Sequence, residues 1–335
     1  VWSPDGSKIC WVSMERDGYE ADRQRLMTTS VNWKESRENG VTTRKPELGN
    51  IIEISNGFKY NVTSPVWDSN TGSIYFSSLA EGIQGVFKAF NENGSWRIER
   101  ITGEDLWYDF NSPFHIAEND GQTKLLATYC SMNFPTEMVE ITVGTDAEGK
   151  IPACEVEHNK AIKAECHVTE KSVGIRQISD INGELLSKLG KPQTEARYIR
   201  TADGQDMLTW VVYPPEFDKT KKYPSVLICL GGPQGTLSQG WSYRWNYRLM
   251  ASQGYVTVLP NRHGTTAFGQ EWTEQISGDY CGLNMDDYLR AARSIKAEPF
   301  TGKMAACGAS YGGYSVYNLC GIHGDVFDAF IAHAG

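Results

Sequence analysis

The chain of 335 residues has no run approaching the ~18 apolar residues that a helical membrane span requires. It has no excess of positive charge. Its 32 Lys and Arg stand against 41 Asp and Glu, for a net charge of -9. Binding to a phosphate backbone needs the opposite balance, so a nucleic-acid partner is excluded, and an anionic membrane surface is disfavoured. None of the eight cysteines makes a C-x-x-C pair, which removes zinc-ribbon and thioredoxin chemistry. Cys154, Cys166 and His167 lie near one another in sequence but match no zinc spacing, so no metal site is expected. Cys229 and Cys307 sit in apolar runs and read as small core residues. Disulfides in the first half, and with them the redox compartment, stay open. The chain also lacks an initial Met and a signal peptide, beginning Val1-Trp2-Ser3 inside what reads as a strand motif. The expectation is that the true N-terminus precedes it, which leaves the missing signal uninformative.

The length predicts two domains, and two local grammars divide the chain near Lys191, giving 1–190 and 191–335. The first part reads as short strands with turn punctuation. Ser3-Pro4-Asp5-Gly6 leads into Lys8 to Val12. Ser64-Pro65-Val66-Trp67-Asp68 leads into Gly72 to Phe76. Ser112-Pro113-Phe114-His115 leads through Asp120-Gly121 into Lys124 to Tyr129. Phrases recurring every 40–50 residues or a little more suit the blades of a β-propeller, with room for three or four. An ordinary β-sandwich is the alternative on periodicity alone. The second part alternates strands and helices, as a largely parallel α/β sheet requires. Strands are expected at 207–213, 225–230, 255–260, 304–307 and 329–332, and helices at 241–252, 285–296 and 311–320. The apolar face of the second helix would carry Tyr288, Leu289, Ala292 and Ile295.

Between a strand of small residues and a helix stands Gly308-Ala309-Ser310-Tyr311-Gly312-Gly313. This is the context that the G-x-S-x-G motif of a nucleophilic serine demands. A sharp turn lifts the hydroxyl off the sheet, and the strand and helix then cross so closely that the residues two before and two after must be small. The helix N-terminus adds free N–H groups where an oxyanion would develop. Leu230-Gly231-Gly232-Pro233-Gln234 follows a buried strand where such folds place a second donor. The two donors are expected to be the N–H groups of Tyr311 and Gly232, with Gly231 as the alternative to Gly232.

With Asn261-Arg262-His263-Gly264, Phe268-Gly269-Gln270 and Ala332-His333-Ala334-Gly335, these motifs resemble the prolyl oligopeptidase family of serine peptidases. The resemblance runs through nearly the whole chain. It also takes in Trp241 to Asn246, Gln275 to Tyr280 and Met14 to Asp22. What it implies is a partial N-terminal β-propeller joined to a partial α/β-hydrolase domain, and an enzyme that removes dipeptides from the N-termini of short peptides. Such an enzyme needs no cofactor, prefers small or apolar residues before the cut, and in Gram-negative bacteria is often exported to the periplasm or secreted. A homodimer stays open. Recognition of a free α-amino group calls for carboxylates. Glu15 and Glu20 are the candidates, against the simpler alternative of a solvated acidic hairpin paired with Arg16, Arg23 and Arg25. An acylaminoacyl peptidase or oligopeptidase on the same scaffold is the enzymatic alternative. A non-catalytic propeller binding protein is the alternative of another class.

The resemblance places the triad Asp and His after the Ser. Only 25 residues follow Ser310, and among them His323, Asp325, Asp328 and His333 fall in the helix, its exit loop or the next strand. None of the four is expected to serve. The chain therefore reads as a fragment cut at both ends, inactive alone within an active full-length peptidase. Leu230 stands where some relatives carry a Tyr that serves the oxyanion, which favours a backbone donor. His263 stands where Arg is common, so Arg262 could take over orientation of the loop.

Overall fold

The structure, a computed structural model, describes residues 1–69, 71–102, 106–119, 122–144 and 173–335. Cys154, Cys166 and His167 lie outside these residues, as do Asp120 and Gly121. The chain forms two compact units. One is Val1–Leu79, Gln84–Tyr129 and Glu137–Asp180. The other is Ala80–Ile83, Cys130–Thr136 and Ile181–Gly335.

The first unit is built from three four-stranded sheets. The first holds β1 (Lys8–Ser13), β2 (Arg25–Glu38), β3 (Val41–Leu48) and the short β4 (Ile52–Glu53), which pairs with β2. The second runs in order β5 (Thr63–Trp67), β6 (Ile74–Ala80), β7 (Ile83–Glu92) and β8 (Ser95–Arg100). The third runs in the reverse of chain order, from β12 (Val173–Gln177) through β11 (Phe134–Val143) and β10 (Gln122–Ser131) to β9 (Asp109–Asn119). Two hairpins close through Asn-Gly pairs, Asn39-Gly40 at φ 50 and 81° and Asn93-Gly94 at φ 52 and 86°. Those are the positive angles a tight two-residue turn needs. The repeated phrase has a backbone counterpart, because Ser64 and Ser112, 48 residues apart, both take positive φ (50° and 45°) within β5 and β9, and their hydroxyls lie 3.4 Å apart. Aromatic pairs fill the interiors. Phe76 stacks on Phe87 at 5.7 Å, and Phe110 stacks on Tyr129 at 5.8 Å. Every residue of β3 is exposed, as is the second half of β2.

The second unit is organised by one six-stranded sheet in the order β13-β14-β16-β15-β17-β18. These strands are β13 (Gln193–Arg200), β14 (Asp206–Tyr213), β15 (Tyr223–Cys229), β16 (Val256–Pro260), β17 (Thr301–Ala309) and β18 (Ala329–His333). β13, β14 and β16 pair antiparallel, whereas β16, β15, β17 and β18 are mutually parallel. The central strands are buried on both faces, from Val226 to Cys229 and throughout β16, which explains their uninterrupted apolar runs. The helices are α1 (Gly183–Ser187), α2 (Tyr247–Ser252), α3 (Gln270–Glu274), α4 (Leu283–Lys296) and α5 (Tyr311–Ile322). Tyr288, Leu289, Ala292 and Ile295 of α4 are all buried in the core around the sheet.

Most elements expected in the second unit fall within two residues of the sequence reading, and two differ by more. The helix expected from Trp241 begins only at Tyr247. The Ser242 hydroxyl accepts the backbone N–H of Trp245 (3.0 Å) and of Arg244 (3.3 Å), which diverts the chain into a turn, and Asn246 then caps α2 by accepting the Leu249 N–H at 2.8 Å. The strand expected at 304–307 extends over Thr301–Ala309, because β15 and β18 pair with it along both edges.

Candidate active site

Ser310 occupies the single residue between the end of β17 and the start of α5. Its backbone stands at φ 57° and ψ −129°, a region that residues with a Cβ enter only under constraint. The constraint is visible. The Ser310 N–H donates to His333 O at the end of β18 (2.9 Å), and Ser310 O accepts the Tyr314 N–H (3.0 Å). The glycines are set by crowding. A Cβ on Gly308 would collide with Gly312 O, and one on Gly312 with Cys229 O. One on Gly313 would stand 2.6 Å from His333 O. The Ser310 side chain is left exposed, whereas Tyr311 behind it is buried. As the first residue of α5, Tyr311 has an N–H with no acceptor inside the helix.

The loop after β15 lies against this turn. Gly231 packs so close to it that a Cβ would stand 2.9 Å from Ala309 O and 3.7 Å from the Ser310 Cβ. Gly232 takes φ 126°, and the Gly232–Pro233 peptide is cis. Arg262, fully buried, clamps the loop from behind. Its Nη2 donates to Pro233 O (2.7 Å) and Leu230 O (3.5 Å), its Nε to the Tyr288 hydroxyl (3.1 Å), and its Nη1 to His263 O (2.9 Å). The guanidinium also lies over the Tyr311 ring at 5.0 Å. The Tyr288 hydroxyl in turn accepts the Leu230 N–H (3.0 Å), and burial pushes its pKa up, well above the ordinary tyrosine value. Arg262 thus connects both halves of the candidate oxyanion site, the Gly-Gly loop and the start of α5.

Behind Arg262 is a buried imidazole that the sequence marked only as an odd residue in its loop. His263 Nδ1 lies 2.6 Å from Asp287 Oδ2, which also accepts the His263 backbone N–H at 2.8 Å. The ring stacks on Trp272 at 3.8 Å, and its Nε2 is 3.3 Å from Asp203 Oδ2. Burial raises the Asp203 pKa, but hydrogen bonds from Thr201 and Gln205, with His263 beside it, outweigh this and hold it below the usual carboxylate value. Sequence reasoning missed Asp287 and Asp203. The available signal was an acidic residue on the buried face of α4.

Among the described residues no imidazole is hydrogen-bonded to the Ser310 hydroxyl. His323 accepts the Phe327 N–H (3.3 Å) and packs on Phe330. Asp328 is engaged by the Met304 N–H and Lys296. His333 meets Ser310 through its backbone carbonyl. A cavity of about 500 Å³ opens beside the elbow, lined by Ser310, Gly231, Gly232, Trp241, Trp245 and Tyr247 among others. Its size suits a small ligand or a short peptide. Among the described residues no group of three His, Cys, Asp or Glu could hold a metal ion.

Glu15 and Glu20 belong to the first unit and Ser310 to the second. Both carboxylates are exposed in the β1–β2 connection, Glu15 with Arg25 at 3.8 Å. The connection is organised by Asp22, which is buried and accepts the N–H groups of Glu15 and Arg16 (2.7 Å each) and the Arg16 guanidinium (2.6 Å).

A serine on a constrained strand-to-helix turn, crowded by glycines and faced by a Gly-Gly loop, has the geometry of the nucleophile elbow on which serine hydrolases are built. Residues 241–335 match the profile described as the prolyl oligopeptidase family. The chain is 40% identical over 337 residues to dipeptidyl-peptidase 5 of Porphyromonas gingivalis and 41% identical over 351 residues to that of Aspergillus fumigatus. Each comparison covers 100% of this chain and, respectively, 42% and 41% of the relative. Over residues 241–335 the chain is thus similar to the prolyl oligopeptidase family, and it spans less than half the length of the curated relatives it matches. Among solved structures it is similar to an acylaminoacyl peptidase of Pyrococcus horikoshii, with a TM-score of 0.65 at 16% identity over 99% of this chain and 51% of that one. A putative dipeptidyl aminopeptidase IV from Bacteroides ovatus gives 0.62 at 16% over 99% and 43%. At such identity the likeness is one of fold.

Proposed function

We propose that the protein is a serine peptidase releasing N-terminal dipeptides from short peptides through an acyl-enzyme on Ser310. The observation that carries this reading is the constrained Ser310 backbone at φ 57°, with Gly308 and Gly312 packed against it. The relatives at 40% identity, each a dipeptidyl-peptidase 5, support the dipeptide-releasing chemistry. In the reaction the Ser310 Oγ bonds to the scissile carbonyl carbon and its proton passes to a base. The carbonyl oxygen, now anionic, is held by the N–H groups of Tyr311 and Gly232. The C–N bond then breaks, the amine leaves carrying a proton, and water later releases the dipeptide. The three four-stranded sheets are read as blades of a β-propeller spanning about 1–190, and the six-stranded sheet as the α/β-hydrolase portion from about 191. Glu15 and Glu20 are assigned the substrate ammonium, and export to the periplasm or beyond fits a role in peptide breakdown.

The test is product analysis by mass spectrometry with the intact protein on matched free-amine and N-acetylated peptides. The reading expects dipeptides from the free amines and little cleavage of the acetylated set. It expects the double variant Glu15→Gln, Glu20→Gln to lose that preference by about tenfold or more, since each charge-assisted contact contributes on the order of 1.5–3 kcal/mol. Preferential cleavage of the acetylated peptides would instead identify an acylaminoacyl peptidase.

A further inference from the structure

The cavity beside Ser310 has features that its role as a passage to the nucleophile does not use. One wall is formed by Trp241, Trp245 and Tyr247. The turn centred on the Ser242 hydroxyl holds these aromatics, and Trp241 also packs edge-on against Tyr243 at 5.9 Å. The Trp241 Nε1–H is buried yet has no acceptor among the described residues. Tyr247 is half-buried beside it, its hydroxyl without a hydrogen-bond partner among them, and burial pushes its pKa up to about 12. A buried unmatched donor such as the Trp241 N–H is costly unless a ligand or water answers it. At the rim stands Arg244, exposed and without an ion-pair partner among the described residues.

Charge decides which part of a substrate belongs here. A peptide with free ends carries its ammonium on the half that becomes the acyl-enzyme and its carboxylate on the half that leaves. An unpaired guanidinium repels the first and attracts the second. We propose that Trp241, Arg244, Trp245 and Tyr247 form a subsite for the leaving group, in which Trp241 and Tyr247 donate to its carbonyl or carboxylate oxygens and Arg244 pairs with the C-terminal carboxylate of substrates only one or two residues longer than the dipeptide removed. The inference rests on Ser310 being the nucleophile of a dipeptide-releasing enzyme. It makes the protein an enzyme of short free-ended peptides, supplied by endopeptidases that generate tri- and tetrapeptides.

The experiment uses the intact protein with tri- and tetrapeptides in free-acid and C-terminally amidated forms, beside the p-nitroanilide of the same dipeptide. The free acids are expected to show kcat/KM about five- to tenfold above the amides, and Arg244→Gln to bring that ratio to about one. Trp241→Phe keeps the apolar wall and removes the N–H. It is expected to lower kcat/KM on the peptides about fivefold while the anilide, which has no peptide to leave, falls by less than twofold. An acid-to-amide ratio near one in the parent protein, or a ratio that Arg244→Gln leaves in place, overturns the subsite while anilide cleavage keeps the nucleophile reading intact. A protein that releases no dipeptide from the anilide, or a Ser310→Ala variant that still does, overturns both.

Discussion

Ser310 holds a backbone conformation that a serine keeps only when its neighbours over-determine it. The bonds to His333 and Tyr314, and glycines too crowded to accept a Cβ, supply that determination. This part of the site was legible in the sequence, because Gly308, Ser310 and Gly312 lie within five residues and their spacing encodes the turn itself. The Arg262 clamp was legible only as a candidate. The pairing of His263 with Asp287 was not legible, since the partners are 24 residues apart and only the packing of α4 on the sheet unites them. The clamp yields a prediction. Replacing Arg262 by Met removes the donors to Pro233 and Leu230 and frees the Gly-Gly loop from the start of α5. Steady-state kinetics of the intact protein should show kcat lower by about 10- to 100-fold with KM changed far less, the pattern of a lost transition-state contact. Arg262→Lys should not restore it, because the three donors of a single ammonium cannot span three carbonyls and a tyrosine hydroxyl. Equal losses in kcat and 1/KM, or full rescue by Lys, would argue against a positioning role.

Among the elements, those with a strong period were readable and those shaped by one side chain were not. The buried face of α4 follows from apolar spacing, and the central strands follow from their continuous apolar runs. The start of α2 was misjudged because the Ser242 hydroxyl competes for the N–H groups of Arg244 and Trp245, an effect that periodicity does not register. The β2–β3 ribbon carried no signal, since both its faces are exposed beyond Val31 and nothing forces alternation. The β1–β2 connection shows the reverse case, a loop given its shape by one buried carboxylate. Burial alone would raise the Asp22 pKa. The Arg16 guanidinium and the N–H groups of Arg16 and Glu15 outweigh that and hold it down to about 2. A carboxyl depressed on folding stabilises the native state above its unfolded pKa, near 4, and that stability is lost as pH falls through the folded value. Urea titrations followed from pH 6 to pH 2 should therefore show an acid limb below about pH 4 that is shallower in Asp22→Asn. An identical limb in the variant would remove Asp22 from that role.

At the scale of the whole molecule, the change of grammar near Lys191 announced two kinds of structure. Sheets of antiparallel strands precede it, and a sheet with four mutually parallel strands follows. The compact units do not respect a single cut, because the turns 80–83 and 130–136 join the second unit. Turn residues at hairpin tips have no sequence mark that says which body they will pack in. The likeness to the prolyl oligopeptidase family rests on identity at 40% over the full length of this chain and on the family profile over 241–335. The central claim is that Ser310 is the nucleophile. It is tested most directly by treating the intact protein with a fluorophosphonate and locating the adduct by peptide mass spectrometry. The account predicts one adduct, on Ser310, with labelling abolished and peptide hydrolysis falling by roughly 10⁶-fold in Ser310→Ala. An adduct on another residue, or hydrolysis that survives Ser310→Ala, would contradict it.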